Sequence, residues 1–382
     1  MRRLFAACLC LALLCACAVA PRQPMLVEQA PGRDLAARVA STAASDPAAL
    51  TRAIGHSLAY VLTRPADGKP FGADGPACTW GELGDSLEHL RTLIPGLAQD
   101  PDLLTREFRW IEVRPEPLMT GYYEPWMEGS LEPDPRFPVP IYGLPADLRS
   151  VDLGLFHPRW KGQRLTYRLD ENGIAPYHSR EEIDELGALT SKETPIAWTR
   201  DLVDVFFLQV QGSGRLNLPD GSVRHVLYAG KNGHEYVSLG KVMIERGLVP
   251  AEEMSMQRIR AYLREHPHEV SVLLNTNPSY VFFRLAQDGP LGAMGRTLTP
   301  MVSMATDSAF LPLGSILAVD AVLPDADGTE TRTAFLGLAQ DRGGAIKGSR
   351  LDLFCGAGQR AEFLAGHLQA TSRVYLLLKK KE

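Results

Sequence analysis

Three aspartates in one short segment are the residues of this chain best suited to chemistry. Asp307 follows Met304-Ala305-Thr306, Asp341 follows Ala339-Gln340, and Asp352 sits inside Arg350-Leu351-Asp352-Leu353-Phe354. Each stands at the end of, or inside, a separate apolar strand-like run, whereas a surface acid normally falls in a polar loop. Asp341 is followed by Arg342-Gly343-Gly344, and the glycines let backbone approach whatever the carboxylate serves. Singly, an aspartate at a strand end reads as a turn or a cap. Three converging on one small barrel read as a site for proton transfer.

Other motifs carry less. Gly356-Ala357-Gly358-Gln359-Arg360-Ala361 has the outline of a dinucleotide fingerprint, but only 21 residues follow Ala361, too few for the rest of such a sheet. It reads as a tight turn. Gly212-Ser213-Gly214 lacks the flanking glycines of a nucleophile elbow or phosphate loop. The nine histidines have no metal-ligand spacing, and His266-Pro267-His268 cannot share a helix face, so neither a metal nor a cofactor is expected.

The elements that must position the aspartates are mostly strands. The 382 residues are enough for two domains, and 45% hydrophobic with 22% charged residues is a globular composition. A formal net charge of −5 gives no reason to expect a nucleic-acid partner. After an aperiodic stretch over 21–32, which reads as a tether, helical patterns cover 34–43, 48–62 and 81–97, the last opening on a Thr79…Glu82 capping box. Short strand-like runs separated by Pro and Gly then dominate, among them 120–126, 138–142, 164–169, 203–218 and 223–228. A helix with its own Ser179…Glu182 capping box interrupts at 179–186, and helices follow at 236–246 and 255–265. Strands resume at 280–285, 301–305, 316–322, 333–338 and 351–354, before a helix at 359–367 and a closing strand at 374–379. The fold class expected is mainly β with peripheral helices (α+β), as barrels rather than a doubly wound sheet. No heptad or long apolar stripe asks for a second copy, so a monomer is expected.

The first residues read as an address. Met1-Arg2-Arg3 precedes an apolar run over 4–14, too short to span a bilayer. Leu14-Cys15-Ala16-Cys17 resembles a bacterial lipobox, making 1–16 a lipoprotein signal peptide and Cys17 the lipidation site. Ala18, in place of the aspartate that would favour inner-membrane retention, points to the outer membrane facing the periplasm. Four of the six cysteines lie at or before Cys17; Cys78 and Cys355 remain, and read as two unpaired buried thiols.

The segment from 297 to 354 is similar to the three-aspartate domain of cell-wall enzymes, whose barrel is of the double-psi type. The chain from about 100 to its end resembles the membrane-bound lytic murein transglycosylase A family. The resemblance rests on Thr120-Gly121-Tyr122-Tyr123-Glu124-Pro125, Gln209-Val210-Gln211-Gly212-Ser213-Gly214, Tyr228-Ala229-Gly230-Lys231-Asn232-Gly233-His234, Met254-Ser255-Met256-Gln257 and Asn277-Pro278-Ser279-Tyr280-Val281-Phe282-Phe283. It implies a double-psi barrel domain (33–125 with helices, then 271–382) interrupted by a second β-barrel-like domain over 126–270, with a groove between them for a peptidoglycan glycan strand. It implies non-hydrolytic cleavage of the β-1,4 bond between N-acetylmuramic acid and N-acetylglucosamine. Asp341 falls at the catalytic-acid position, with Asp307 and Asp352 as supporting acids.

A free aspartic acid, with a pKa near 3.9, is almost wholly ionised at neutral pH, so Asp341 must be raised by burial or like charge. Phe335, Leu338, Ile346 and Asp307 are the candidate neighbours. Thr120, Tyr122, Gln211, Lys231, Asn232 and His234 are expected to line the groove, with groups suited to N-acetyl sugars. Two rival readings are a barrel that grips wall glycan without cutting, and a hydrolytic muramidase using Asp307 or Glu124 as a second carboxylate.

Overall fold

The computed structural model describes residues 26–72, 75–192 and 194–381. The expected leader and Cys17 lie outside them. Among the described residues the strands form three sheets of nine, six and three strands.

The nine-stranded sheet is assembled from both ends of the chain. Phe108–Val113 pairs with Arg373–Lys379, which pairs with Ile316–Pro324, which pairs in turn with Glu330–Asp341. Beyond Glu330–Asp341 lie Ser303–Ala305, Leu351–Ala357, Leu118–Glu124 and Gln369–Thr371. Its central strands are buried on both faces: Ile316 to Ala321 are all buried, as a strand covered on both sides must be. The helices Arg33–Ala43, Pro47–Val61 and Trp80–Leu93 cover it, and Leu83, Leu87 and Leu90 join its core from one helix face. The Thr79…Glu82 capping box forms as expected, with Thr79 accepting from the Glu82 N–H and Glu82 accepting from the Thr79 N–H. At the far end Leu26–Glu28, in the stretch expected to be a tether, is instead an edge strand on Phe108–Val113. It is held by register and by Arg109 on Glu28 at 2.7 Å.

The six-stranded sheet runs in the order Val281–Ala286, Val223–Lys231, Ser213–Asn217, Trp126–Ser130, Pro195–Thr199, Val139–Tyr142. Its last strand in sequence, Val281–Ala286, lies past the expected boundary at 270. The strand expected over 203–218 is in fact two elements: helix Leu202–Gln211 and strand Ser213–Asn217. The run Val203-Asp204-Val205-Phe206-Phe207-Leu208 is apolar nearly all round, so its periodicity cannot separate helix from strand. The end signals decide. Asp201 caps the first turn by accepting from the Val203 N–H at 2.8 Å, and Gly212 ends the helix at φ +81°, a backbone open to glycine. Cys78 and Cys355 are buried and unpaired, their thiols pushed up by burial, that of Cys78 to about 12.

Candidate active site

The register of four strands brings the acids together. Ala305 pairs with Asp341 on one side and with Asp352 on the other, and Asp352 pairs with Thr120 on the next strand. Residues in register point to the same face, and two strand spacings separate Asp341 from Asp352 by about 10 Å between Cα atoms. A bulge sharpens the aim. Met304 pairs with Ala339 and Ala305 with Asp341, which leaves Gln340 as the extra residue. Gln340 turns inward and is buried. Its Oε1 accepts from the Ser303 hydroxyl at 2.5 Å, and its Nε2 donates to the Ala53 carbonyl at 2.6 Å and to Ser57 at 2.9 Å. The bulge thus fastens the strand to the helix Pro47–Val61 and sets the next residue, Asp341, across Ala305 from Asp352.

Asp341 is held by neutral donors alone. Its Oδ2 accepts from the Tyr122 hydroxyl at 2.8 Å, and its Oδ1 from the backbone N–H groups of Ala293 at 2.9 Å and Arg342 at 2.8 Å. Burial raises its pKa, and these hydrogen bonds oppose the rise without cancelling it. Tyr122 is buried with its ring 5.3 Å from Phe354, in a cluster with Leu298, Ala305 and Ile346. Burial and the Asp341 charge push its phenol well above the usual range, so it remains a proton donor. Of the expected apolar neighbours Ile346 belongs to this cluster, while Phe335 and Leu338 face the main core.

Asp352 is raised to about 6, first by burial and further by the Asp341 charge, against the Thr120 hydroxyl that donates to it at 2.7 Å and the charge of Arg350. Asp307 joins two loops. It accepts from Gly348 N–H at 2.9 Å and Ala309 N–H at 3.1 Å, closing the segment over 342–350 against its own turn.

The expected groove residues divide. Thr120 and Tyr122 sit on the acids themselves. Gln211 accepts from the Tyr123 N–H at 3.0 Å, tying its helix to the strand Leu118–Glu124. Asn232 is buried and donates to the carbonyls of His178 and Pro278 while accepting from the Tyr280 N–H, so its amide is committed to backbone. His234 Nε2 meets the Tyr177 carbonyl at 2.6 Å, and Lys231 is exposed at the end of its strand. Glu124 is fully buried at the junction of the two large sheets, between Arg215 at 2.6 Å and His225 at 2.7 Å. Sequence reading missed Ala293, Gln340 and Ser303. Gly292 was the available signal: a Cβ there would stand 2.7 Å from the Gln340 carbonyl, so its loop can lie against the strand only as glycine. Among the described residues no three His, Cys, Asp or Glu side chains gather as metal ligands.

Two desolvated carboxyls in register on a nine-stranded sheet, which Glu124 fastens to a six-stranded one, define a two-sheet protein with a candidate acid site. Residues 118–284 match the MltA specific insert domain and residues 302–378 match the 3D domain. The membrane-bound lytic murein transglycosylase A of Vibrio cholerae is 37% identical over 265 residues, covering 68% of this chain and 65% of that protein. That of Escherichia coli K12 is 37% identical over 263 residues, covering 68% and 64%. The chain thus spans just under two thirds of the length of these curated relatives. Among solved structures, a membrane-bound lytic murein transglycosylase from Agrobacterium tumefaciens superposes with a TM-score of 0.78 at 32% identity, covering 93% of this chain and 97% of that one. E. coli MltA with bound chitohexaose gives 0.68 at 28% identity, covering 87% and 90%. The chain belongs to the membrane-bound lytic murein transglycosylase A family.

Proposed function

We propose that this protein is a peptidoglycan lytic transglycosylase in which Asp341 acts first as general acid and then as base. Asp341 protonates the glycosidic oxygen between N-acetylmuramic acid and N-acetylglucosamine as the C1–O bond breaks. The muramyl C6 hydroxyl oxygen bonds to C1 and its proton passes to the Asp341 carboxylate. The leaving sugar gains one proton, the acid is regenerated, no water is consumed, and a 1,6-anhydro end remains. The nucleophile is part of the substrate, so one carboxyl serves where ordinary glycosidases need two. The observation that carries the reading is the Asp341 environment: burial raises its pKa, three neutral donors and the more weakly acting charge of Arg342 oppose the rise without cancelling it, and among the described residues no cation forms an ion pair with it. Against the hydrolase, Glu124 is enclosed by Arg215 and His225 and Asp307 closes a loop, so neither is free to activate water.

The same reading makes the nine-stranded sheet the double-psi barrel, interrupted by the insert, with the glycan strand running across the Asp341 mouth. Thr120 and Tyr122 hold the acids, while Lys231 and His234 stand beside the strand path. Lipidation at Cys17 would keep the body at the outer membrane facing the periplasm. No described helix is long and apolar enough to cross a bilayer.

The test is a digest of purified sacculi by the chain from Ala18 beside Asp341→Asn, with products read by mass spectrometry. The expected products are muropeptides one water lighter than those of a hydrolytic muramidase, absent with the variant. Hydrated ends would establish the hydrolase, and sacculus binding without release would establish the binding module.

A further inference from the structure

The three-stranded sheet Arg149–Asp152, Arg164–Asp170 and Gly173–Pro176 belongs to neither large sheet. Its register sorts its faces by chemistry. Leu165 pairs with Val151, Leu169 with Ile174, and Tyr167 with both Arg149 and Pro176. Paired and alternate positions share a face, so Val151, Leu165, Tyr167, Leu169 and Ile174 lie together. Thr166 is on the opposite face, and that face is turned to the protein: a Cβ on Gly233 would stand 2.6 Å from the Thr166 Cβ. The apolar face therefore looks outward, with Leu165, Leu169 and Ile174 exposed. A one-sided sheet ordinarily does the reverse. The connection between its first two strands adds Leu155 and Phe156, which are 82% and 68% exposed.

Cations flank this face. Arg149 stands on it, Arg159 and Lys161 follow the tip, and Arg164 begins the middle strand on the other face, opposite Asp152. Among the described residues none of the four has an ion-pair partner; Arg164 donates only to Ser150, and the Arg159 guanidinium lies over the Trp160 ring at 4.6 Å. In a chain of net charge −5 this is a local excess of positive charge.

We propose that this sheet face and its Leu155–Phe156 tip dock onto an anionic phospholipid surface. Aliphatic side chains that enter the acyl boundary, ringed by Lys and Arg at headgroup level, are the chemistry of an interfacial anchor. A glycan platform would instead present flat rings, whereas Leu155, Leu165, Leu169 and Ile174 make this exposed surface mainly aliphatic. The tether supplies the geometry: eight residues separate Cys17 from Leu26, a reach of about 30 Å when extended, so a body lipidated at Cys17 stays within touching distance of its bilayer. The docked sheet then fixes the orientation of that body, which a tether alone leaves free.

The test is flotation of the unacylated chain from Ala18, which holds every described residue, with vesicles of phosphatidylethanolamine and phosphatidylglycerol. Binding is expected to be at least about tenfold stronger than to phosphatidylcholine vesicles and to fall in about 0.5 M salt. Leu155→Ser with Phe156→Ser lowers it at least about tenfold, because both side chains lose their transfer to hydrocarbon, and leaves cleavage of solubilised glycan unchanged. Arg159→Ala with Lys161→Ala lowers it less and removes most of the salt dependence. Equal flotation of the Leu155/Phe156 variant and the parent overturns the proposal, as does absence of flotation. A concentration-dependent dimer, or capture of an acidic protein, that the serine variant loses in the absence of vesicle binding also overturns it, by giving the face a different occupant.

Discussion

Asp341 at the end of Glu330–Asp341 and Glu124 at the junction of the two large sheets both end strands of the same nine-stranded sheet, and they differ in what surrounds them. Asp341 meets a phenol and two backbone N–H groups, all neutral; Glu124 meets a guanidinium and an imidazole. Neutral donors steady a carboxylate without matching its charge, so burial wins and the proton is held more tightly. A guanidinium matches the charge, and with the imidazole it makes the carboxylate part of the framework. On the proposed function, the contrast lets one sheet carry a proton-transfer acid at one place and a domain fastening at another, using the same functional group.

The largest expected effect tests the first half of that contrast. Asp341→Asn lowers cleavage by at least about a thousandfold while sacculus binding stays, because the acid is lost and the shape is kept. Its folding stability at pH 8 is unchanged or higher, since a carboxyl raised in the fold opposes folding once ionised. A matching fall in stability, read by thermal denaturation, would make Asp341 a framework residue like Glu124. The reverse holds for Glu124→Gln: about 2 to 3 kcal/mol of stability is lost because partly buried Arg215 and His225 lose their partner. Activity of the folded variant stays within a few-fold and the products remain anhydro. A folded but inactive Glu124→Gln would break the comparison and reopen the hydrolase.

Asp352 is the intermediate case, raised to about 6 from 3.8. The folded state binds its proton more tightly than the unfolded chain. Its contribution is therefore most favourable below about pH 4 and is lost as pH rises through about 6. Asp352→Asn keeps the Thr120 hydrogen bond and removes that opposition, raising stability by up to about 3 kcal/mol at pH 8 and by only about 0.5 kcal/mol at pH 4. An equal change at both pH values would assign the effect to packing.

The acids are legible in the sequence because their pattern is local: each aspartate interrupts an apolar strand. The strand-rich fold is legible from short runs between Pro and Gly, and the capping box at Thr79 marks a helix start by side-chain chemistry alone. What escapes depends on pairing across long separations. Gln340 looks like one more strand residue until the bulge against Ser303–Ala305 turns it inward, and nothing near Ala293 announces that its N–H reaches Asp341, 48 positions away. Asn232 shows the opposite failure. An amide in a Gly-flanked loop suggests a sugar ligand, yet three backbone partners from distant segments consume it. The helix at Leu202–Gln211 reads as a strand because an apolar run has no period to read, although Asp201 and Gly212 mark its ends.

The finest test of the contrast is Tyr122→Phe, which removes one neutral donor from Asp341 and leaves the ring against Phe354. The Tyr122 hydroxyl opposes the rise caused by burial, so without it the Asp341 pKa moves higher still. The acid form then persists to higher pH, and the alkaline limb of the pH–rate profile shifts upward. The carboxylate that must take the C6 proton is stabilised by one hydrogen bond fewer, so kcat at the optimum falls by about tenfold. Both changes together mark a residue that tunes the acid. A fall in kcat with an unmoved profile would assign Tyr122 to substrate positioning, and a downward shift would mean that some other group sets the alkaline limb.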